Sequence, residues 1–135
     1  MKFMRMAIFL GALSLVGGLT ACSEPITQAD VATADFGKPI AQADCERIAK
    51  QTVLPILRDP GSAQFDFGKC EKSSQASIPI ASLPKQFGYG MAFTVNARNG
   101  FGGYAGPRQY FVLIKDGTVV RRLAADDQNL GMFPF

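Results

Sequence analysis

Cysteine is the residue type in this 135-residue chain with the most chemistry to offer, and it stands at positions 22, 45 and 70. A Cys–His nucleophile and a mixed cysteine–imidazole metal site both need histidine. The chain has no histidine, so both are excluded. Carboxylates offer little more, because Asp126-Asp127 reads as a solvated turn and no acid pair stands in a catalytic constellation. No catalytic residue, metal site or cofactor is therefore expected. The densest recognition chemistry is "NARNGFGGYAG", residues 96–106, with Arg108 just beyond. Asn96, Arg98, Asn99, Phe101, Gly102, Gly103, Tyr104 and Arg108 make a candidate binding loop, since arginine and aromatic side chains dominate binding hot spots.

The compartment follows from the N-terminus. Lys2 and Arg5 precede "AIFLGALSLV", an apolar run too short to span a bilayer and of the length of an export-signal core. "LTAC" follows, ending at Cys22. It resembles the lipobox of bacterial lipoproteins, an aliphatic residue and two small ones before cysteine. The resemblance implies a diacylglycerol thioether on Cys22, cleavage before it and acylation of its new amine. Several acyl chains make a durable anchor where one does not. The alternative is an ordinary secretory signal with a chance cysteine. Ser23, where the enterobacterial retention pattern has aspartate, points to an outer-membrane location facing the periplasm.

Removing Lys2 and Arg5 lowers the formal charge from +3 to +1. A near-neutral exported domain gives no electrostatic case for nucleic acid. With Cys22 assigned to lipid, Cys45 and Cys70 form an even pair, which in an exported domain reads as a disulfide. Closing a loop of about 25 residues is worth roughly 3–4 kcal/mol on the chain-entropy argument. Two buried free thiols are the competing reading.

These residues need elements to hold them. Residues 1–21 are the expected signal peptide, and 22–40 a lipidated N-terminus with a flexible tether on the order of 25 Å end to end. Residues 41–135 form a single domain. Within 41–59, Cys45, Ile48, Ala49, Thr52, Val53, Ile56 and Leu57 repeat at helical spacing. Pro55 predicts a kink or break, and Asp59-Pro60-Gly61 a stop. "SAQFDFGKC" reads as a strand with Phe65 and Phe67 on one face and a bulge at Gly68 that returns Cys70 to it. "GMAFTVNAR", "QYFVLIK" and "TVVRRL" are further strands, the last two joined by an Asp116-Gly117 turn. That turn puts Ile114 opposite Val119 and Val112 opposite Arg121. "SIPI" is a candidate short edge strand in a long polar connection. The expected architecture is α+β: one N-terminal helix packed on a three- to four-stranded antiparallel sheet, in two layers.

The loop joins two of these strands. As a turn, its glycines at 100, 102, 103 and 106 supply backbone angles closed to other residues, and Phe101 and Tyr104 fold back as caps. As a surface, its arginines and aromatics are presented to a partner. A phosphate-cradling role does not fit, because a strand follows the loop and not a helix. "DPGSAQF" and "VNARNGFGGYAG" resemble two motifs, D-P-x-S-A-x-F and N-A-x-N-x-F-G-G-Y-x-G, of a group of small exported domains from Gram-negative bacteria and their prophages. The resemblance spans most of the folded unit. It implies a fold and an envelope setting, and no particular activity.

The expected function is a lipid-anchored, non-catalytic module of the bacterial cell envelope that binds an envelope protein or glycan. In a prophage setting such a module would exclude other phages. The alternative is an inhibitor lipoprotein whose glycine-rich hairpin enters the cleft of a cell-wall-acting enzyme.

Overall fold

The computed structural model describes residues 24–126 and 131–135. Cys22, the signal segment and Asp127 lie outside the described residues.

Helix α1 (Gln28–Thr33) opens with a capping box. The Thr27 side chain accepts from the Asp30 N–H, and the Asp30 carboxylate accepts from the Thr27 N–H at 2.8 Å. Helix α2 (Gln42–Val53) buries Cys45, Ile48, Ala49 and Val53, four members of the apolar stripe. A 3-10 turn (Leu54–Ile56) carries Pro55 and extends the helical stretch. A tighter turn has 3.0 residues and not 3.6. The apolar stripe therefore drifts off the sheet, and Ile56 is left 52% exposed.

Six antiparallel strands form one sheet: β1 (Gln64–Phe67), β2 (Glu71–Gln75), β3 (Gln86–Asn96), β4 (Arg108–Lys115), β5 (Thr118–Ala125) and β6 (Met132–Pro134). The spatial order is β1-β3-β4-β5-β6, and β2 also pairs with β3. The two ends of β3 take different partners. Its Phe93–Asn96 end pairs with β1 and its Gln86–Gly90 end with β2. Between these partners Gly68, Lys69 and Cys70 stand opposite only Met91 and Ala92, the extra residue of a bulge. Gly68 donates its N–H to the Ala92 carbonyl at 2.9 Å, and a Cβ there would lie 2.6 Å from that oxygen.

The α+β class and the antiparallel sheet stand, and two details of the expectation are corrected. Among the described residues the sheet has six strands, not three to four. β2 reads EKSSQ, without apolar alternation, and pairs through its backbone at the sheet margin. β6 is three residues long and holds Pro134, which only an edge strand tolerates. "SIPI" is no strand: Ile78 and Leu83 make an isolated bridge around a 3-10 turn (Pro79–Ala81). In addition, α2 is not the N-terminal element, because α1 precedes it.

Residues 24–40, expected as a flexible tether, form a strap that contacts the sheet and its loops. The Glu24 N–H donates to Ser77 Oγ at 3.0 Å, and the Lys38 N–H to Asp116 Oδ1 at 2.9 Å. Lys85 pairs with Asp30 and Lys115 with Asp35, each at 3.1 Å. Phe36 meets Phe87 edge-on at 5.8 Å. Most of these anchors are polar and the apolar one, Phe36, stands alone, so hydrophobic periodicity does not register the strap.

The core lies between α2 and one sheet face. Met91, Phe93, Val95, Tyr110, Val112, Ile114 and Ala124 meet the buried residues of α2. An aromatic row crosses this face, with centroids 5.7 Å apart at each step from Phe67 to Phe93, Tyr110 and Phe135. A register shift between Leu113 and Ile114 keeps Ile114 opposite Val119 but places Val112 opposite Arg122. That corrects the expected Val112–Arg121 pairing.

Candidate functional site

Two cysteines fix the helix to the sheet. Cys45 and Cys70 form a disulfide, with Cα atoms 6.3 Å apart. Gln42, one helical turn earlier, holds the same bulge. Its amide nitrogen donates to the Gly68 carbonyl and its amide oxygen accepts from the Cys70 N–H, both at 2.9 Å. The free-thiol reading is thereby replaced.

The glycine-rich stretch is the connection between β3 and β4, and it is tied internally. Arg98 and Tyr104 face each other as an isolated antiparallel bridge. The Asn99 N–H donates to the Gly103 carbonyl at 2.8 Å. The Asn99 side-chain oxygen accepts from the N–H groups of Phe101 and Gly103 at 2.9 and 3.3 Å. Five residues at the tip are thus organised around one asparagine, the local bonding to which asparagine is suited. Only two of the four glycines need their type for backbone angle: Gly102 at φ +83° and Gly106 at φ +97°. Gly100 and Gly103 are not in that region, which corrects the expectation for all four.

The loop side chains divide sharply. Phe101, at the tip, is 100% exposed and caps nothing, contrary to the cap reading. Tyr104 is 44% exposed. Its hydroxyl donates to the Ser62 carbonyl at 3.2 Å, and the Arg98 guanidinium sits 5.6 Å from its ring centroid. Asn96 lies within β3 opposite Gln64, and its buried side-chain oxygen has no hydrogen-bond partner among the described residues. Arg108 is turned toward β5. Its Nε donates to the Ala125 carbonyl at 2.7 Å, and its guanidinium stands 5.9 Å from the Tyr110 ring. The structure therefore groups Arg98, Asn99, Phe101, Gly102, Gly103 and Tyr104, and leaves Asn96 and Arg108 at the base.

The second motif supports the first. A 3-10 turn (Pro60–Ser62) follows Asp59. Ser62 Oγ donates to the Asp59 carbonyl at 2.8 Å and accepts from the Arg98 N–H at 2.9 Å. Asp59, Ser62, Arg98 and Tyr104 edge an open depression of about 470 Å³. Sequence reasoning took Asp59-Pro60-Gly61 as a helix stop and missed Ser62 and Arg58 as parts of the site. A Cβ at Gly100 would lie 3.5 Å from Arg58 Nη1, so Arg58 flanks the tip. Neither Arg58 nor Arg98 has an ion-pair partner among the described residues. Arg58 thus flanks the hairpin at Gly100, and Arg98 lies against Tyr104 below the exposed Phe101. Nothing in "DPGSAQF" alone signals this, because the contact depends on the loop folding back over the turn.

The chain matches no protein-family model, no curated protein and no solved structure.

Proposed function

We propose that this chain is a lipid-anchored, non-catalytic interaction module of the bacterial envelope, displaying the hairpin around Phe101 to an envelope protein or glycan. One observation carries the reading: a fully exposed phenylalanine at the tip of a loop whose backbone is held by its own hydrogen bonds. A pre-organised loop loses little entropy on binding, and an exposed aromatic ring beside guanidinium groups is hot-spot chemistry. The anchor reading rests on "LTAC" after a short apolar run, with the outer membrane facing the periplasm as the proposed location. Labelled palmitate should enter the wild type and not Cys22→Ser; equal labelling removes the anchor.

Partner recovery from solubilised envelopes tests the binding. Phe101→Ala and Arg98→Ala should lose the partner while far-UV circular dichroism and the melting temperature stay unchanged. Recovery equal to wild type in both variants sinks the reading.

Arg58 and Arg98 beside Phe101 favour the inhibitor as a second reading. Glycoside hydrolases carry two carboxylates in the cleft, and a hairpin bearing an aromatic tip and two cations complements such a cleft. Inhibition of a cell-wall hydrolase that disappears in Arg58→Ala and Arg98→Ala would select this reading over the first.

A further inference from the structure

The strap fixes the place at which the chain enters the domain. The Glu24 N–H donates to Ser77 Oγ at 3.0 Å, and the Lys85 ammonium reaches Glu24 at 3.8 Å and Asp30 at 3.1 Å. Cys22 precedes Glu24 by two residues, which span at most about 7 Å. A lipid on Cys22 therefore holds this end of the domain at the bilayer surface, with no length left for a spacer. The inference that follows rests on that anchor reading.

Ser77 and Lys85 belong to the connection between β2 and β3, residues 76–85. Its tip is the 3-10 turn Pro79–Ala81, where Ile80 is 94% exposed. The loop is closed by its own backbone. Ile78 and Leu83 exchange hydrogen bonds at 2.7 and 3.1 Å, and the Ser82 N–H donates to the Pro79 carbonyl at 3.0 Å. Ser82 itself takes the left-handed conformation, at φ +53°, which is uncommon for a residue other than glycine. The buried Arg121 clamps the base of the loop: its guanidinium donates to Gln86 Oε1 at 2.7 Å, to the Ala76 carbonyl at 3.3 Å and to the Pro84 carbonyl at 2.6 Å. Ile80 is thus held outward by a braced loop and adds nothing to the core. Its apolar surface leaves water only against something outside the domain.

β3 runs from this connection to the glycine-rich hairpin. Gln86 to Asn96 is ten steps of about 3.3 Å, roughly 33 Å. The two loops therefore stand at opposite ends of the longest strand, one beside the entry of the chain and the other carrying Phe101. We propose that the Pro79–Ala81 turn contacts the lipid surface to which Cys22 is anchored, with Ile80 entering the boundary between headgroups and acyl chains. The sheet then stands on this end and displays the hairpin at the far end of β3. One isoleucine does not anchor a protein, since even a single acyl chain binds only marginally. A domain already tethered beside the surface needs only a preference for one orientation, and burying one apolar side chain supplies it.

The test uses the full mature chain, lipidated, labelled for NMR and inserted in nanodiscs of phosphatidylethanolamine and phosphatidylglycerol. A lipid bearing a nitroxide near the head of its acyl chain broadens nearby amides. The amides of residues 80–82 should be broadened at least tenfold more than those of residues 99–103. Ile80→Asp, at an exposed position, should lower the broadening at 80–82 at least threefold with palmitate incorporation and melting temperature unchanged, and Ile80→Leu should retain it. Uniform broadening over the domain, stronger broadening at 99–103, or broadening at 80–82 that Ile80→Asp leaves unchanged would each overturn the proposal. Where palmitate enters the wild type, any of these results removes the lipid contact alone; absence of palmitate from the wild type removes the anchor and the contact together.

Discussion

The Tyr104 hydroxyl donates to the Ser62 carbonyl at 3.2 Å, across 42 residues of sequence. With the Arg98 N–H on Ser62 Oγ, this bond joins the turn after the helix to the glycine-rich hairpin. The hairpin is therefore buttressed from one side while its tip stays in solvent. The two motifs read separately from the sequence are one structural unit. Their common role is to hold the loop's arginine and tyrosine in place below an unsupported Phe101.

The loop's stability should follow backbone geometry and the Ser62 bonds, not the tip side chain. Gly102→Ala forces an L-residue toward the left-handed region and should cost about 1–2 kcal/mol. Gly103→Ala sits at an ordinary φ with nothing within 4 Å of its Cβ position, and should stay within about 0.5 kcal/mol of wild type. Ser62→Ala leaves the Arg98 N–H without its acceptor and should cost about 1–2 kcal/mol. Urea unfolding of the three variants checks the order. Equal losses at Gly102 and Gly103 would show that the loop does not have this geometry.

What was legible in the sequence was whatever hydrophobic spacing encodes. Ile48, Ala49 and Val53 gave the buried helix face; Met91, Phe93 and Val95 gave the central strand; Gly68 announced the bulge that presents Cys70 to Cys45. Illegible parts were held by polar or backbone contacts. β2 has no apolar pattern because its pairing is through main-chain groups. The strap of residues 24–40 docks by Asp30, Asp35 and Phe36, one residue at a time. Pro55 marks a defect in the helical pattern, but its consequence, an outward Ile56, needed the relative placement of helix and sheet. The hairpin was legible as a loop, and its support by Ser62 was not, because that contact joins distant parts of the chain.

The disulfide and Gln42 clamp the same bulge and should be coupled. Reduction, or Cys45→Ala with Cys70→Ala, should lower stability by about 3–4 kcal/mol through loss of the closed loop. Gln42→Ala removes two hydrogen bonds to that bulge and should cost about 1–2 kcal/mol in the oxidised protein. In the reduced protein the Gln42 cost should differ by at least about 0.5 kcal/mol, as for residues that share a contact. Denaturant titrations of the four forms measure this. Strict additivity would mean that the two restraints act on the chain independently.

The strap should loosen in acid, in a window set by Asp30. Its carboxyl is held at about 2, below its ordinary 3.8, chiefly by the Thr27 backbone N–H, then by the Thr27 hydroxyl and Lys85. Asp35 is lowered in the same direction, by the Gly37 N–H first and Lys115 second. A carboxyl whose pKa is depressed by folding favours the folded form above its unfolded pKa. That contribution is complete above about pH 4 and is lost as pH falls through the folded value. The α1 amide signals of Val31 and Thr27 should therefore hold steady down to pH 4 and shift between pH 4 and 2. Lys85→Met should move the Asp30 midpoint upward, and Asp30→Asn should give the acid-like spectrum of α1 at neutral pH with α2 unaffected. An Asp30 midpoint at its ordinary value in the wild type would mean that the capping box and the Lys85 pair do not hold the strap in solution.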